Sequence, residues 1–339
     1  MASIKDVAEM AGVSLSTASI VANGKAKERK ISEATQKKVL KSMKALNYIP
    51  NVSAKTLRRG ESQKYVVALF WHFDFRSIMM HRFLFGFQKK IAELNAEMSV
   101  IIHPYRTGEL YKEASSFAGG EFHAAVIGNA DDSDKAFLKE SNFQLPIVLY
   151  NRLLDGFSSV NIDDEKLGIM AAEHLYRKGY RRPAVIHGTQ NFPGATARET
   201  AFRNRMEELG CILPENRMIL SENSLKGGYE CGQRLKQSEL SADCFFCASD
   251  SIALGFMAAF ADTGLIPDQV GILAVGNSDA QYSKYHAPSL SVINIPIEEM
   301  AEGCCQYLHE NMYSLNAGVE IKYFETKLYE RETTQKNKS

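Results

Sequence analysis

With 339 residues, 45% hydrophobic, 24% charged and 10% aromatic, the chain is too long for one compact domain and too apolar for wholesale disorder or a fibrous repeat. No run approaches the roughly 20 apolar residues of a membrane span. The opening MASIKDVAEM lacks the apolar core of a secretory signal and six scattered cysteines make no disulfide framework, so a cytoplasmic protein with free thiols is expected. The net charge of zero hides a division: residues 1–64 hold 13 Lys or Arg against 5 Asp or Glu, a balance of +8 that the remainder cancels. A basic head on an acidic body points either to a polyanion such as nucleic acid, because each cation laid on a phosphate releases condensed counterions, or to a merely solvated face.

In chain order, Ser3 with Asp6 predicts a capping box, and Ile4, Val7, Ala8 and Ala11 recur at helical spacing. Gly12 suits a left-handed turn with Val13 packed beneath it. Ser14 with Thr17 then caps a second helix, from Leu15 to Ala22, that stops at Asn23-Gly24. Two short helices around a glycine turn make either a helix-turn-helix, with the second helix offered to the major groove, or a plain helical hairpin. A third helix begins at Ser32, with Val39, Leu40, Met43 and Leu46 as its apolar stripe and Lys37, Lys38, Lys41 and Lys44 on the remainder. Pro50 and Asn51 introduce Val52 to Arg59, helix-compatible but too short to be stable alone in water.

From Tyr65 onward short β-rich runs alternate with amphipathic helical stretches, as in a doubly wound α/β architecture. Strands are expected at 66–70, 99–103, 124–127, 147–150, 184–186, 218–220, 244–247, 272–275 and 290–293. That number suits two similar halves with a ligand cleft at the carboxyl ends of their strands. The sequence holds no GxGxxG after a strand, no P-loop, no H-E-x-x-H and no G-x-S-x-G. Cys244 and Cys247, three apart in a strand, are expected on opposite faces, where they cannot easily share a metal. Neither a cofactor nor an enzyme's catalytic constellation is expected.

The run IKDVAEMAGVSLSTAS, then NG, then ISEATQKKVLKSMKALNYIPNVSAKTLRRG resembles the lactose-repressor and galactose-repressor (LacI/GalR) family of bacterial transcription regulators, over the whole of residues 2–60. The resemblance implies a helix-turn-helix head (residues 1–49) and a hinge (50–64). Leu15, Ser16 and Ile20 would read base edges, while Thr17, Ser19 and Asn23 suit phosphate contacts. The family often has arginine or histidine where Ile20 stands and a polar or aromatic residue where Leu15 stands, so direct readout here is expected to be apolar, as to a thymine methyl. KAKERK, at 25–30, makes the interval before Ile31 about three residues longer than is usual in the family. In the hinge, the resemblance implies that Leu57 wedges into the minor groove. Asn51 and Ala54 would lie close to the groove and Lys55, Arg58 and Arg59 near phosphates.

The likeness continues through PIVLYNR, SVNIDDEKLGIMAAEHLYRKGYRRPAVIHG, TARETAF, CASDSIALG, VGILAVGNSD and PSLSVINIPIEEMAEGC. It implies a core like that of periplasmic sugar-binding proteins (65–339), with two doubly wound parallel-sheet subdomains and three chain crossings. The first subdomain would take 65–160 and 293–319, and the second 161–292 and 320–332. For the effector it implies Arg198, a fork suited to hydroxyls, carboxylate or phosphate. Asp250 would serve beside Ser249, where the family has asparagine, and Ser278 and Asp279 where it has two aspartates. Asn223 stands where an aromatic often stacks. Arg106 and Asn129 are added from the first half. Trp71 and His72 follow the first strand and are expected either to line the cleft or to pack in the core. Asp163 and Asp164 read as helix caps. The expected function is a repressor whose hold on palindromic operator DNA is set by a sugar or related metabolite. The resemblance implies dimerisation through the body, and the tail ERETTQKNKS lacks heptad leucines for a tetramer, so a homodimer is expected. The alternative is the solute-binding protein of a transporter, which would have no use for residues 1–60.

Overall fold

The computed structural model describes residues 3–22, 26, 29–46, 48, 65–72, 74, 77–119, 121–143, 145–189, 192–238, 241–263, 266, 269–312 and 318–335. Helix α1 (Ile4–Ala11) opens on a reciprocal cap: the Asp6 amide donates to Ser3 Oγ at 3.3 Å and the Ser3 amide to Asp6 Oδ2 at 2.6 Å. It closes at Gly12, whose φ of +64° lets the Val13 amide return to the Ala8 carbonyl at 3.0 Å. Helix α2 (Leu15–Ala22) follows, with the Thr17 amide on Ser14 Oγ at 3.1 Å, and α3 (Glu33–Ala45) begins where the Thr35 amide reaches Ser32 Oγ at 3.3 Å. Val7, Ala8, Ala11, Ala18, Val21, Ala26 and Val39 form the head's core. Ala26 belongs to that core, and its carbonyl accepts from the Ile31 amide at 2.9 Å.

The expected stripe on α3 needs one correction. Met43 and Leu46 pack on the core, but Leu40 is 53% exposed, because Val39 fills the core and its neighbour lies about 100° around the helix. Asn23 and residues 49–64, with Asn51, Ala54, Lys55, Leu57, Arg58 and Arg59, lie outside the described residues.

The body contains two six-stranded sheets. The first half runs β1 (Tyr65–His72), α4 (Ser77–Glu93), β2 (Met98–Tyr105), α5 (Ala114–Gly119), β3 (Ala124–Gly128), α6 (Asp132–Glu140), β4 (Ile147–Tyr150) and β5 (Ser158–Ile162). The second half runs α7 (Asp164–Arg177), β6 (Pro183–Gly188), α8 (Pro193–Glu208), β7 (Met218–Ser221), α9 (Leu225–Lys236), β8 (Cys244–Cys247), α10 (Asp250–Ala259), β9 (Gly271–Gly276), α11 (Ala280–Tyr285) and β10 (Ser291–Asn294). Helix α12 (Ile297–Asn311) and strands β11 (Ile321–Phe324) and β12 (Lys327–Tyr329) finish the chain. The strand orders are β11-β5-β4-β3-β1-β2 and β12-β10-β9-β8-β6-β7. Among the described residues only the β10–β12 ladder is antiparallel; the others are parallel, with helices in most of the connections.

Sheet membership moves the expected subdomain limits. β5 extends the first sheet to Ile162, β10 stays in the second sheet to Asn294, and β11 returns to the first through the register Ile321 to Ser159. The chain therefore passes between sheets after β5, between β10 and α12, and between β11 and β12. β5, absent from the expected strands, reads SSVNI and is buried throughout. Its polar groups pair locally: Asn161 Nδ2 donates to Ser159 Oγ at 2.9 Å, and Ser158 Oγ accepts from the Glu320 amide at 2.9 Å. Cys244 and Phe246 join one core cluster while Phe245 and Cys247 join another, so the C-x-x-C divides between the two faces of β8.

The last turn is sewn in by hydroxyls. Thr333 Oγ1 donates to the Ile272 carbonyl at 2.7 Å and accepts from the Ser291 amide at 2.8 Å, while Thr334 Oγ1 lies 2.8 Å from Ser291 Oγ and 2.9 Å from His174 Nε2. Burial lowers the His174 pKa from 6.5 to about 4, so the native ring is neutral. Because the folded value is depressed, this contribution to stability is complete above about 6.5 and is lost as pH falls through about 4. Thermal midpoints should therefore fall on acidification across that window, and less steeply in His174→Gln than in the wild type. An equal acid loss in both proteins would contradict the assignment.

Candidate DNA interface and effector cleft

On α2, Ala18 and Val21 turn into the core, so helical spacing puts Ser16, Ser19 and Ile20 on the opposite side, with Leu15 at the flank in the first turn. Leu15 is 50% exposed and Ile20 half-buried. Ser16 Oγ and Thr17 Oγ1 each lie 2.8 Å from Ser14 Oγ, which draws the Thr17 hydroxyl into the cap. The surface offered by α2 is thus apolar at Leu15 and Ile20 and hydroxylic at Ser16. Exposed Lys37, Lys38 and Lys41 on α3 keep the head basic.

In the body, parallel strands line up their carboxyl ends along one edge of a sheet, and two arginine contacts lie near these edges, one within the second half and one between the halves. Arg198 on α8 places Nε 3.0 Å from Asp164 Oδ1, at the passage out of β5, and donates Nε to the Gly194 carbonyl at 3.0 Å. Its two terminal nitrogens make no hydrogen bond among the described residues. Asp163 is the cap of α7, with its Oδ1 2.8 Å from the Lys166 amide, whereas Asp164 is the partner of the cation. Burial raises the Asp164 pKa, and the charges of Arg198 and Arg152 oppose the rise. A Cβ at position 194 would lie 2.3 Å from Asp164 Oδ2, so any larger residue there would have to push that carboxylate aside. The second contact is Arg82 on α4, whose Nη1 donates to the Ser278 carbonyl at 3.2 Å.

The acids of the second half hold backbone. Asp250 is 1% exposed. It accepts from the Ser278 amide at 3.1 Å and the Ser251 amide at 2.9 Å, and burial raises its pKa. Asp279 caps α11 through the Gln281 amide at 2.9 Å, and Asn223 Oδ1 accepts from Ser249 Oγ at 2.6 Å. Asp250 therefore shapes the loop that carries Ser278 rather than standing free in the cleft.

In the first half, Asn129 follows β3 with φ +56° and is 5% exposed; its Nδ2 has no partner among the described residues. Arg106 is exposed beside Glu109 and Lys112. Trp71 and His72 are corrections to the cleft assignment. Trp71 is core, with ring centroids 5.2 Å from Phe83 and 5.4 Å from Tyr150. His72 spends both ring nitrogens, on Tyr105 OH at 2.7 Å and Thr107 Oγ1 at 2.8 Å. Sequence reasoning missed Asn151 and Arg152, although a polar pair directly after the apolar run of β4 marks a strand's carboxyl end. Asn151 takes φ +54°, and Arg152 is buried with Nε on the Ala130 carbonyl at 2.9 Å.

His187, on β6, and Glu199, on α8, were also missed; His187 Nδ1 lies 3.8 Å from Glu199 Oε2. Burial raises the Glu199 pKa from 4.5 to about 7 and lowers that of His187. With Glu199 raised, its contribution to stability is complete below 4.5 and is lost as pH rises through about 7. Glu199→Gln should gain stability over the wild type at pH 8.5 and match it near pH 4.5, as read from denaturant midpoints. A pH-independent difference would contradict this.

Two family models match the chain: bacterial regulatory proteins of the lacI family over residues 3–51, and a periplasmic binding protein-like domain over 172–334. Among curated relatives, the probable HTH-type transcriptional repressor ExuR of Bacillus subtilis (strain 168) is 27% identical over 308 residues, covering 89% of each chain. Among solved structures, a LacI family transcription regulator from Clostridium acetobutylicum is 32% identical, with a TM-score of 0.76, and covers 79% of this chain and 100% of its own. The lac repressor dimer bound to operator and the anti-inducer ONPF is 20% identical, has a TM-score of 0.68, and covers 98% of this chain and 99% of its own. A DNA-binding helix pair joined to a two-sheet cleft accounts for every described segment, and the chain belongs to the LacI family of bacterial transcription regulators, which are not enzymes.

Proposed function

We propose that the protein represses transcription in the cytoplasm by binding a palindromic operator as a homodimer, and that a sugar or related metabolite in the cleft sets its affinity. The observation that carries the reading is the pairing of an exposed apolar and hydroxylic α2 face on a basic head with a cleft that holds a partly free Arg198. The lac repressor dimer, captured with operator and a small molecule, supports the same division of labour. Arg198, Asn129, Asn151 and Ser278 offer donors and acceptors suited to hydroxyl groups, with Asp250 positioning Ser278.

The dimer is argued from one edge. β11 and β12 are joined by two residues and end their sheets on one side, so β2 and β7 end them on the other. There Ile78 and Phe85 of α4, Ile101 and Ile102 of β2, Leu220 of β7 and Leu225 of α9 are all more than 40% exposed. An apolar face along two open strand edges invites pairing, and a second copy meets it isologously. A dimer spaces its two heads for half-sites about one helical turn apart, and closure of the cleft alters that spacing.

Fluorescence anisotropy with palindromic fragments from the region upstream of the gene should show tight binding that weakens steeply with salt, and much weaker binding to scrambled duplexes. Equal affinity for every duplex, or none at low salt, would remove the reading. Phe85→Asp should sediment as a monomer and lose more than about tenfold in operator affinity; a dimer with full affinity would exclude this interface.

A further inference from the structure

Helix α4 carries a buried guanidinium, Arg82, one turn from each of the exposed apolar residues Ile78 and Phe85. Its Nε donates to Glu298 Oε1 at 2.7 Å and its Nη2 to Glu298 Oε2 at 2.5 Å, a bidentate grip on the first turn of α12. Nη2 also reaches the Ile295 carbonyl at 3.1 Å and Asn294 Oδ1 at 3.4 Å, in the passage from β10 to α12. Nη1 donates to the carbonyl of Ser278, in the loop after β9. Ser278 is held from its other side, since its amide donates to Asp250 Oδ2 at 3.1 Å. One planar fork thus touches both helices of the first sheet's outer layer, the crossing chain and the effector-side loop of the second sheet.

We infer that Arg82 is a positioning residue that transmits a displacement of the Asp250–Ser278 loop to α4, and through it to the apolar face proposed to pair two chains. The inference rests on the reading of the protein as an effector-controlled regulator and names the contact through which control runs. The guanidinium is rigid and its acceptors lie in fixed directions. A shift of the Ser278 carbonyl either drags Arg82 or leaves a buried charge short of an acceptor, and both outcomes act on α4. The Arg82–Glu298 grip and the close approach at Gly86, where a Cβ would lie 2.2 Å from the Glu298 carbonyl oxygen, bind α4 to α12 so that the pair responds as one body.

The test is a double-mutant cycle read by hydrogen exchange on the full chain, with no DNA or small molecule present. Asp250→Ala, which removes the acceptor of the Ser278 amide, should raise exchange of the amides at 79–86 at least about fivefold. In an Arg82→Met background the same change should alter α4 exchange less than about twofold, while the loop at 277–281 still responds. Arg82→Lys keeps a charge for Glu298 but lacks the fork; it should behave as Arg82→Met does and serves if the latter folds poorly. An equal α4 response in all backgrounds, or none in the wild-type background, would overturn the inference. So would a rise in exchange spread evenly over β1, β6 and β9, which marks a merely structural ion pair. Because no DNA enters the experiment, its failure leaves the regulator reading standing, and failure to bind DNA leaves this cycle interpretable.

Discussion

Everything in the body depends on a chain that passes three times between two parallel sheets. Parallel ladders line up their carboxyl ends, and the three passages hold the two rows of ends close without fusing them into one sheet. Arg198 with Asp164 lies beside the first passage and Arg82 with Ser278 beside the second. Arg82 is the one of the two that joins the halves, and as a buried cation it tolerates few positions in which its acceptors are kept.

Most buried polar atoms of the scaffold are bonded, although among the described residues the Tyr150 hydroxyl in the core is not. Thr333, Thr334, Ser291 and His174 are buried and mutually bonded, as are Ser159 and Asn161 inside β5. Such satisfied groups fix a single packing. At the cleft, by contrast, Asn129 Nδ2 is buried without a partner and the outer nitrogens of Arg198 are unclaimed among the described residues. A buried donor left unmade costs about 1–3 kcal/mol.

Local rules made the head and most strands legible. The Ser3 and Ser14 caps, the Gly12 turn and the runs of β1, β3, β4, β8 and β9 each announce themselves through a few residues. What stayed hidden depends on tertiary contact. β5 reads as polar because its Ser and Asn side chains bond to one another, and β11 is exposed and is defined by its ladder to β5 alone. Leu40 looked like core beside Val39, but a 13-residue helix on a small core has room for a narrow stripe only. In the cleft, sequence order gives the position after a strand but not the direction of its side chain. Trp71 and His72 therefore stay open between cleft and core until the structure turns them to the interior, while Asn151 and Arg152 are passed over.

The claim that cleft and heads share one equilibrium is tested most directly by thermodynamic linkage. A compound from a panel of sugars and sugar phosphates that raises the thermal midpoint of the wild type, and not of Arg198→Ala, would be titrated with and without a palindromic fragment. The account predicts that the Kd for the compound and the Kd for the fragment change by the same factor. A compound that saturates the Arg198 cleft and leaves the affinity for DNA unaltered would contradict it.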